Sequence, residues 1–410
     1  MENYFIKPSL LLIIMFFMLY SQTNTDGKRG VCANKLTLKE KKLLSPAVSW
    51  WYNWYFKGSD MSAKAPMTFI PMVWNEDPEK LAGMSNVLQK GYRPPYIMWC
   101  NEPNLKGQAF ITPKQAVKSY RETKALASAY NIEVCGPHMA LGSAEKDSIT
   151  AYDPLQKKEI TYTYMVPYLD AFYHYAGEEN FKYIGVHSYG DINELRWMIG
   201  MLTEKYNKPI WVSEFAWWGA KDSRAMTEYM IQAVDLFENS PAVVKYAWFK
   251  AHMGEGNRMS LLTEESEELT ELGKIYVKLP VHNPDHYFKV PGRIQAEKYQ
   301  QAHGYAPVLT DDRRDGFLDL KKAAPDNSAE YNIKVSRSGT YTISIRLTGQ
   351  NVVALQISNK QNQQQTRVRV ERLRSRYDTA ECSLRLEKGK QTLTVRAAGQ
   401  EAAVNWYEIE

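Results

Sequence analysis

The chain has 410 residues, 44% hydrophobic and 24% charged, which excludes a disordered protein and suggests two domains. The formal charge of +5 arises beyond residue 280, where 20 Lys and Arg face 15 Asp and Glu. The first 280 residues are balanced, which argues against nucleic acid as a ligand, because phosphate binding needs a strong basic surface. Four cysteines (Cys32, Cys100, Cys135 and Cys382) are too few and too scattered for a disulfide framework or a CxxC metal site.

Taken in chain order, the first element is the apolar run Leu10–Tyr20 behind Lys7, followed by the polar stretch Ser21–Asp26. Its 11 residues are short for a bilayer span and have the length of a signal-peptide core. Residues 1–24 are therefore expected to be a signal peptide rather than an uncleaved anchor. The mature protein is expected to be secreted, periplasmic or at the cell surface, with no membrane span.

Next come short, aromatic-rich apolar runs at 47–54, 67–74, 96–101, 132–136, 183–189, 209–215 and 244–249. Amphipathic stretches lie between them, among them 113–130 behind the N-cap candidate Thr112, 192–206 and 224–239. This alternation, with no Gly-rich phosphate loop opening any helix, predicts an α/β fold: a (β/α)8 TIM-type barrel over residues 40–280. Seven strands are visible, and residues 55–65 are the expected place for the eighth. Residues 281–291, which contain proline, read as a linker. Beyond it the period changes to two, with strands expected at 331–335, 341–347, 352–357, 367–370, 382–386, 392–395 and 404–409. Residues 292–410 are thus predicted to be an all-β sandwich of jelly-roll type.

The chemistry concentrates at the strand ends. Asn101-Glu102-Pro103 closes one strand and Ser213-Glu214-Phe215 another. The C-terminal strand ends of a barrel share one rim, so both carboxylates can face one cavity. Two carboxylates across a pocket suit glycosidic cleavage: one, held neutral, protonates the leaving oxygen, and the other attacks the anomeric carbon or activates water. Ten of the 11 Trp precede residue 250, and most lie at these same ends. Sugar contacts are accordingly expected from Asn53, Trp54, Trp74, Asn101, His187, Tyr189, Trp217, Trp218 and Trp248, with Trp51 and Trp99 in the core. The histidines show no HExxH or paired spacing for a catalytic metal, and neither a GxSxG elbow nor a P-loop is present.

The blocks Ser49–Trp54, Phe69–Trp74, Asn101-Glu102-Pro103, Val186–Gly190, Trp211–Phe215 and Tyr246–Phe249 together resemble the barrel of glycoside hydrolase family 128. The resemblance covers roughly residues 45–280. It implies a retaining clan A enzyme acting on β-1,3-glucan, with Glu102 as acid/base and Glu214 as nucleophile. No cofactor is implied for catalysis, and a monomer with a β-glucan polysaccharide as its partner is expected. The clan pattern places Asn-Glu-Pro after the fourth strand, so the unseen strand should precede it. Gly136–Ala140 is bulkier than the small-residue stretch expected there, which leaves fine substrate preference open. An endo-glycanase for another β-linked polysaccharide and a non-catalytic glycan-binding protein are the alternatives; retention of both Glu argues against the latter. Farther on, Ile294–Tyr299, Tyr331–Tyr341 and Val404–Ile409 resemble a family 6 carbohydrate-binding module. That likeness implies a structural Ca2+ held by Glu297 and Asn405, with Phe317 as a candidate sugar-stacking ring.

Overall fold

The computed structural model describes residues 27–410 except 63, 266, 313–316, 372 and 374. The expected signal peptide lies outside the described residues. The chain forms two compact units. Of the described residues, one takes those from 27 to 187 with 211–214 and 245–251; the other takes those in 188–210, 215–244 and 252–410.

The strands of the parallel core are β1 (Arg29–Cys32), β2 (Trp50–Tyr52), β3 (Thr68–Phe69), β4 (Met72–Val73), β5 (Tyr96–Trp99), β6 (Glu133–Cys135) and β7 (His138–Met139). A hairpin of β8 (Thr150–Asp153) and β9 (Lys158–Thr161) follows, then β10 (Ile184–Ser188), β11 (Ile210–Phe215) and β12 (Val243–Trp248). One sheet runs β3-β2-β1-β12-β11-β10-β7 and another β4-β5-β6. The break between β3 and β4 falls at Ile70-Pro71, and that between β6 and β7 at Gly136-Pro137. Proline has no N–H to give a strand ladder, so both interruptions have the same cause.

The strand missing from the sequence reading is β1, which lies upstream at Arg29–Cys32 and not within 55–65, a region of bends and loops. It pairs in parallel with β12 and with β2. Its four residues include Gly30, where an added Cβ would meet the Trp50 indole at 2.3 Å. The glycine that the packing requires is also what hides the strand from an apolar pattern. With β1 counted, and β3 and β4 taken together, Asn101-Glu102-Pro103 follows the fourth strand, as the resemblance implied.

The core of this unit is aromatic. Trp50, Trp51, Trp99, Trp211 and Trp248 are fully buried. Trp99 stacks on Phe172 at 5.6 Å and donates its indole N–H to Ser119. The helices here are α1 (Leu38–Leu44), α2 (Pro78–Gln89), α3 (Pro113–Ser128) and α4 (Met165–Ala176). Thr112 caps α3 reciprocally with Gln115 and Pro113 opens its first turn, so the start expected from sequence is the start observed.

The second unit contains α5 (Ile192–Tyr206), α6 (Ser223–Asn239), α7 (Glu271–Lys278) and a mainly antiparallel strand region from 288 to 409. Two strands of 21 residues, Gly339–Asn359 and Gly389–Ile409, replace the four short ones expected at 341–347, 352–357, 392–395 and 404–409. Their mutual pairing shifts register between 346 and 354 on the first and between 398 and 406 on the second, and the two halves of each join different neighbours. Residues 339–347 pair with 378–386, while 353–358 pair with 365–370. The alternate residues Ile343, Ile345, Leu347, Val353, Leu355 and Ile357 face one apolar core. The linker expected over 281–291 is part of this unit: Phe288–Val290 pairs with Ile333–Val335. His282 stacks on Tyr299 at 4.1 Å, and the Tyr299 hydroxyl donates to Asp235 of α6.

Gly30→Ala should destabilise the chain by about 1–3 kcal/mol through overpacking against Trp50. Gly200→Ala, inside α5 with nothing within 4 Å of the new Cβ, should stabilise by about 1 kcal/mol. Urea denaturation of both variants checks the pair; a neutral Gly30→Ala would show that β1 does not pack as described.

Candidate active site

Glu102 stands just beyond β5 on a kinked backbone. Cys100 (φ +63°) and Glu102 (φ +46°) both occupy the left-handed region, at roughly 1–3 kcal/mol each for a non-glycine residue. Backbone hydrogen bonds hold the kink. The Glu102 N–H donates to His138 O at 2.7 Å, the His138 N–H to Cys100 O at 2.9 Å, and the Cys100 N–H to Val73 O at 2.9 Å. Glu214 lies on β11, a strand buried along its whole length.

The two carboxylates are 6% and 4% exposed and meet at one ring. His187 Nδ1 lies 2.8 Å from Glu102 Oε1, and Nε2 lies 3.4 Å from Glu214 Oε1. The first contact is a hydrogen bond, whereas the second is at ion-pair reach without forming one. Glu214 Oε1 also accepts from the Tyr52 hydroxyl at 2.9 Å and the Trp54 indole N–H at 2.6 Å. Burial alone would push His187 down. The charge of Glu214, with the hydrogen bond and charge of Glu102, outweighs burial and raises its pKa above the ordinary imidazole value. A second buried histidine, His138, is driven the other way. Burial and the neighbouring His187 push it to about 3 against a hydrogen bond to the Cys135 carbonyl, so its ring is neutral. His138 Nδ1 lies 2.7 Å from Ser213 Oγ.

Residues 30–276 match the glycosyl hydrolase catalytic core family. The chain belongs to this family. The matched range begins within β1, ahead of the boundary expected at residue 40. Among solved structures, an endo-β-1,3-glucanase of GH128 subgroup II from Sorangium cellulosum is 28% identical, with a TM-score of 0.53 over 62% of this chain and 100% of that one. A subgroup II endo-β-1,3-glucanase from Pseudomonas viridiflava is 29% identical, with a TM-score of 0.50 over 62% and 98%. No curated protein matches the chain.

Within this glycosyl hydrolase, the residues expected to contact sugar differ in burial and in protein partners. Trp248 is fully buried and offers no face to a ligand, because β12 turns it into the core. His187, expected to reach a carboxylate as well as a sugar, is 1% exposed with each ring nitrogen against a carboxylate. Asn101 is buried and donates to Gln108 at 3.0 Å, while its Oδ1 has no protein partner. Asn53 is engaged in a local turn, donating to Lys57 O and accepting from the Tyr55 N–H. Trp54 is half-buried, packed edge-on against Tyr52 and Phe249. Trp74 is half-buried beside the Asn101 backbone. In the second unit, Trp218 is 51% exposed and lies 5.4 Å from the Tyr189 ring, and Trp217 lies 6.1 Å from Tyr229. Sequence reasoning gave no role at the acidic pair to Tyr52, Ser213 or His138. Tyr52, two residues before Trp54 on an aromatic strand, carried the signal that could have found it.

The residues suggested for a metal are also buried. Glu297 is 1% exposed; burial, with nearby Asp319, lifts its carboxyl to about 7 against its own backbone N–H and Lys298. Its Oε2 has no protein partner, and neither has Oδ1 of the fully buried Asn405. Asn405 Nδ2 donates to Asp319 Oδ1 at 2.7 Å, Thr310 Oγ1 at 3.0 Å and Leu318 O at 3.3 Å. Two orphaned hard oxygens fit an oxygen-seeking cation. Among the described residues no group of three or more His, Cys, Asp or Glu is arranged for a metal, so such a site would draw on amide and carbonyl oxygens as well.

His187 gains its partners on folding, so its contribution is fully present below the unfolded imidazole pKa of about 6.5 and fades as pH rises through the folded value. The gap in melting temperature between the native chain and His187→Gln should therefore be widest below about pH 6.5 and narrow at alkaline pH. A gap that stays constant with pH would mean that the ring is not charged in the folded state.

Proposed function

We propose that this chain is a secreted endo-β-1,3-glucanase that cleaves with retention of anomeric configuration. The observation that carries the reading is the pair of buried carboxylates, Glu102 and Glu214, set against opposite nitrogens of one imidazole. The endo-β-1,3-glucanase activity of the two subgroup II structures supports the substrate. In the first step Glu102 gives its proton to the glycosidic oxygen while Glu214 attacks the anomeric carbon. The glycosidic C–O bond breaks and a glycosyl ester forms on Glu214. Glu102 then takes a proton from water, whose oxygen displaces Glu214 and restores the starting state. Tyr52 and Trp54 orient the attacking carboxylate, and the His187 charge stabilises Glu102 as it ionises. Retention requires the carboxyl groups about 5–5.5 Å apart, and one ring shared between them favours that over the wider inverting gap of ~6.5–9.5 Å.

The same reading closes the parallel core. If β3 with β4, and β6 with β7, are single strands broken at a proline, the two sheets become one eight-stranded barrel. Trp74, Tyr189, Trp217 and Trp218 are each proposed as sugar contacts on the strength of their strand-end places in the sequence. The C-terminal sheets are proposed to be a carbohydrate-binding-module-like sandwich in a monomeric protein, with Ca2+ held by Glu297 and Asn405.

Against laminarin, Glu102→Gln should lower kcat by about 10²–10⁴-fold, and Glu214→Gln should lose at least as much, both with glucan binding retained. Proton NMR of the first product should show the β-anomer; the α-anomer would replace retention with inversion. If Ca2+ binds, an excess of 100 Kd should add about 2.7 kcal/mol to unfolding, removable by chelation and absent in Glu297→Gln. Melting that is unmoved by calcium or chelator would discard the ion.

A further inference from the structure

We infer that His138 is the positioning residue that locks the Glu102 segment to the Glu214 strand, an inference that rests on those two carboxylates being the reacting pair. Its backbone spans the kinked acid segment, donating to Cys100 O and accepting from the Glu102 N–H. Its ring leaves β7, crosses β10 and reaches Ser213 Oγ on β11. The crossing is possible because residue 185 is glycine, where an added Cβ would meet His138 Nδ1 at 2.3 Å. Ser213 immediately precedes Glu214, is fully buried, and has its carbonyl held by the Tyr52 hydroxyl at 3.1 Å and the Cys32 thiol at 3.3 Å. One residue thus ties both carboxylate-bearing segments together, through its main chain on one side and its side chain on the other.

Packing alone does not account for this ring. His138 is fully buried, and burying an imidazole costs free energy that an apolar side chain of similar size would avoid. What the imidazole supplies is the Nδ1 contact to Ser213, and its neutral state suits a site where His187 already carries the charge. A misplacement of about 1 Å between reacting groups can cost 10²-fold in rate, so a tether of this kind acts on kcat and not on substrate affinity.

The experiment is a double-mutant cycle of His138→Leu and Ser213→Ala on laminarin, with His138→Asn as the conservative variant and melting measured throughout. Each single change should lower kcat by about 10–100-fold with KM moved less than about twofold. The double variant should be no slower than the slower single one, since both remove one tether. His138→Asn, whose amide can still reach Ser213, should recover most of the loss. A folded His138→Leu or Ser213→Ala with wild-type kcat, or losses that multiply in the double variant, would overturn the inference. If His138→Leu does not fold, Ser213→Ala decides alone. Glu102→Gln run in parallel separates the two levels. An active Glu102→Gln rejects the assignment of the reacting pair, whereas an inactive one beside wild-type His138 and Ser213 variants rejects only the tether.

Discussion

An imidazole held between two buried carboxylates is the constraint around which the catalytic unit is organised. Burying charge costs several kcal/mol unless a partner compensates it. A cation at ~4 Å returns about 4 kcal/mol per contact at the effective dielectric of 20 typical of such sites. His187 makes two such contacts, which is why its charged form is favoured despite burial. His138, with its ring centre 6.3 Å away, is held neutral by its burial first and by the His187 charge second.

Holding the ring there requires a backbone that does not relax. Trp54, Cys100 and Glu102 all have positive φ without being glycine, and all three lie just past strand ends that face the acidic pair. Such strain persists only where the surroundings over-determine it. Here the surroundings are the hydrogen bonds from β4 and β7 to the Cys100–Glu102 segment, and beneath them a layer of fully buried Trp. The aromatic richness of the chain therefore serves rigidity at least as much as recognition, and Trp248 and Trp99 belong wholly to the former.

The C-terminal strands meet a different constraint. Two 21-residue strands pass from one neighbour to another by bulges, which lets few strands cover one apolar core without long crossovers. The contacts of His282 and Tyr299 with Asp235 make residues 281–299 part of a packed unit. A proline-containing segment read as a free linker is in fact held by stacking and hydrogen bonds that no local pattern announces.

What the sequence by itself determined is the local periodicity and the chemistry placed on it. Apolar runs between capped amphipathic helices were enough to locate seven core strands and to put Glu102 and Glu214 at strand ends. The family likeness added their order around the sheet. What only the tertiary structure decided are the relations across the chain. β1 was invisible because its close approach to Trp50 demands glycine, which weakens the strand signal. Four of the seven expected C-terminal strands are two, because a bulge keeps a strand continuous where polar residues interrupt its alternation. His187 faces two carboxylates, Trp248 faces the core, and His138 reaches Ser213, because side-chain direction depends on register and twist among strands distant in sequence. A residue's type and spacing limit what it can do; which partner it finds is set when the sheet brings positions 85, 75 or 162 residues apart to within 3 Å of each other.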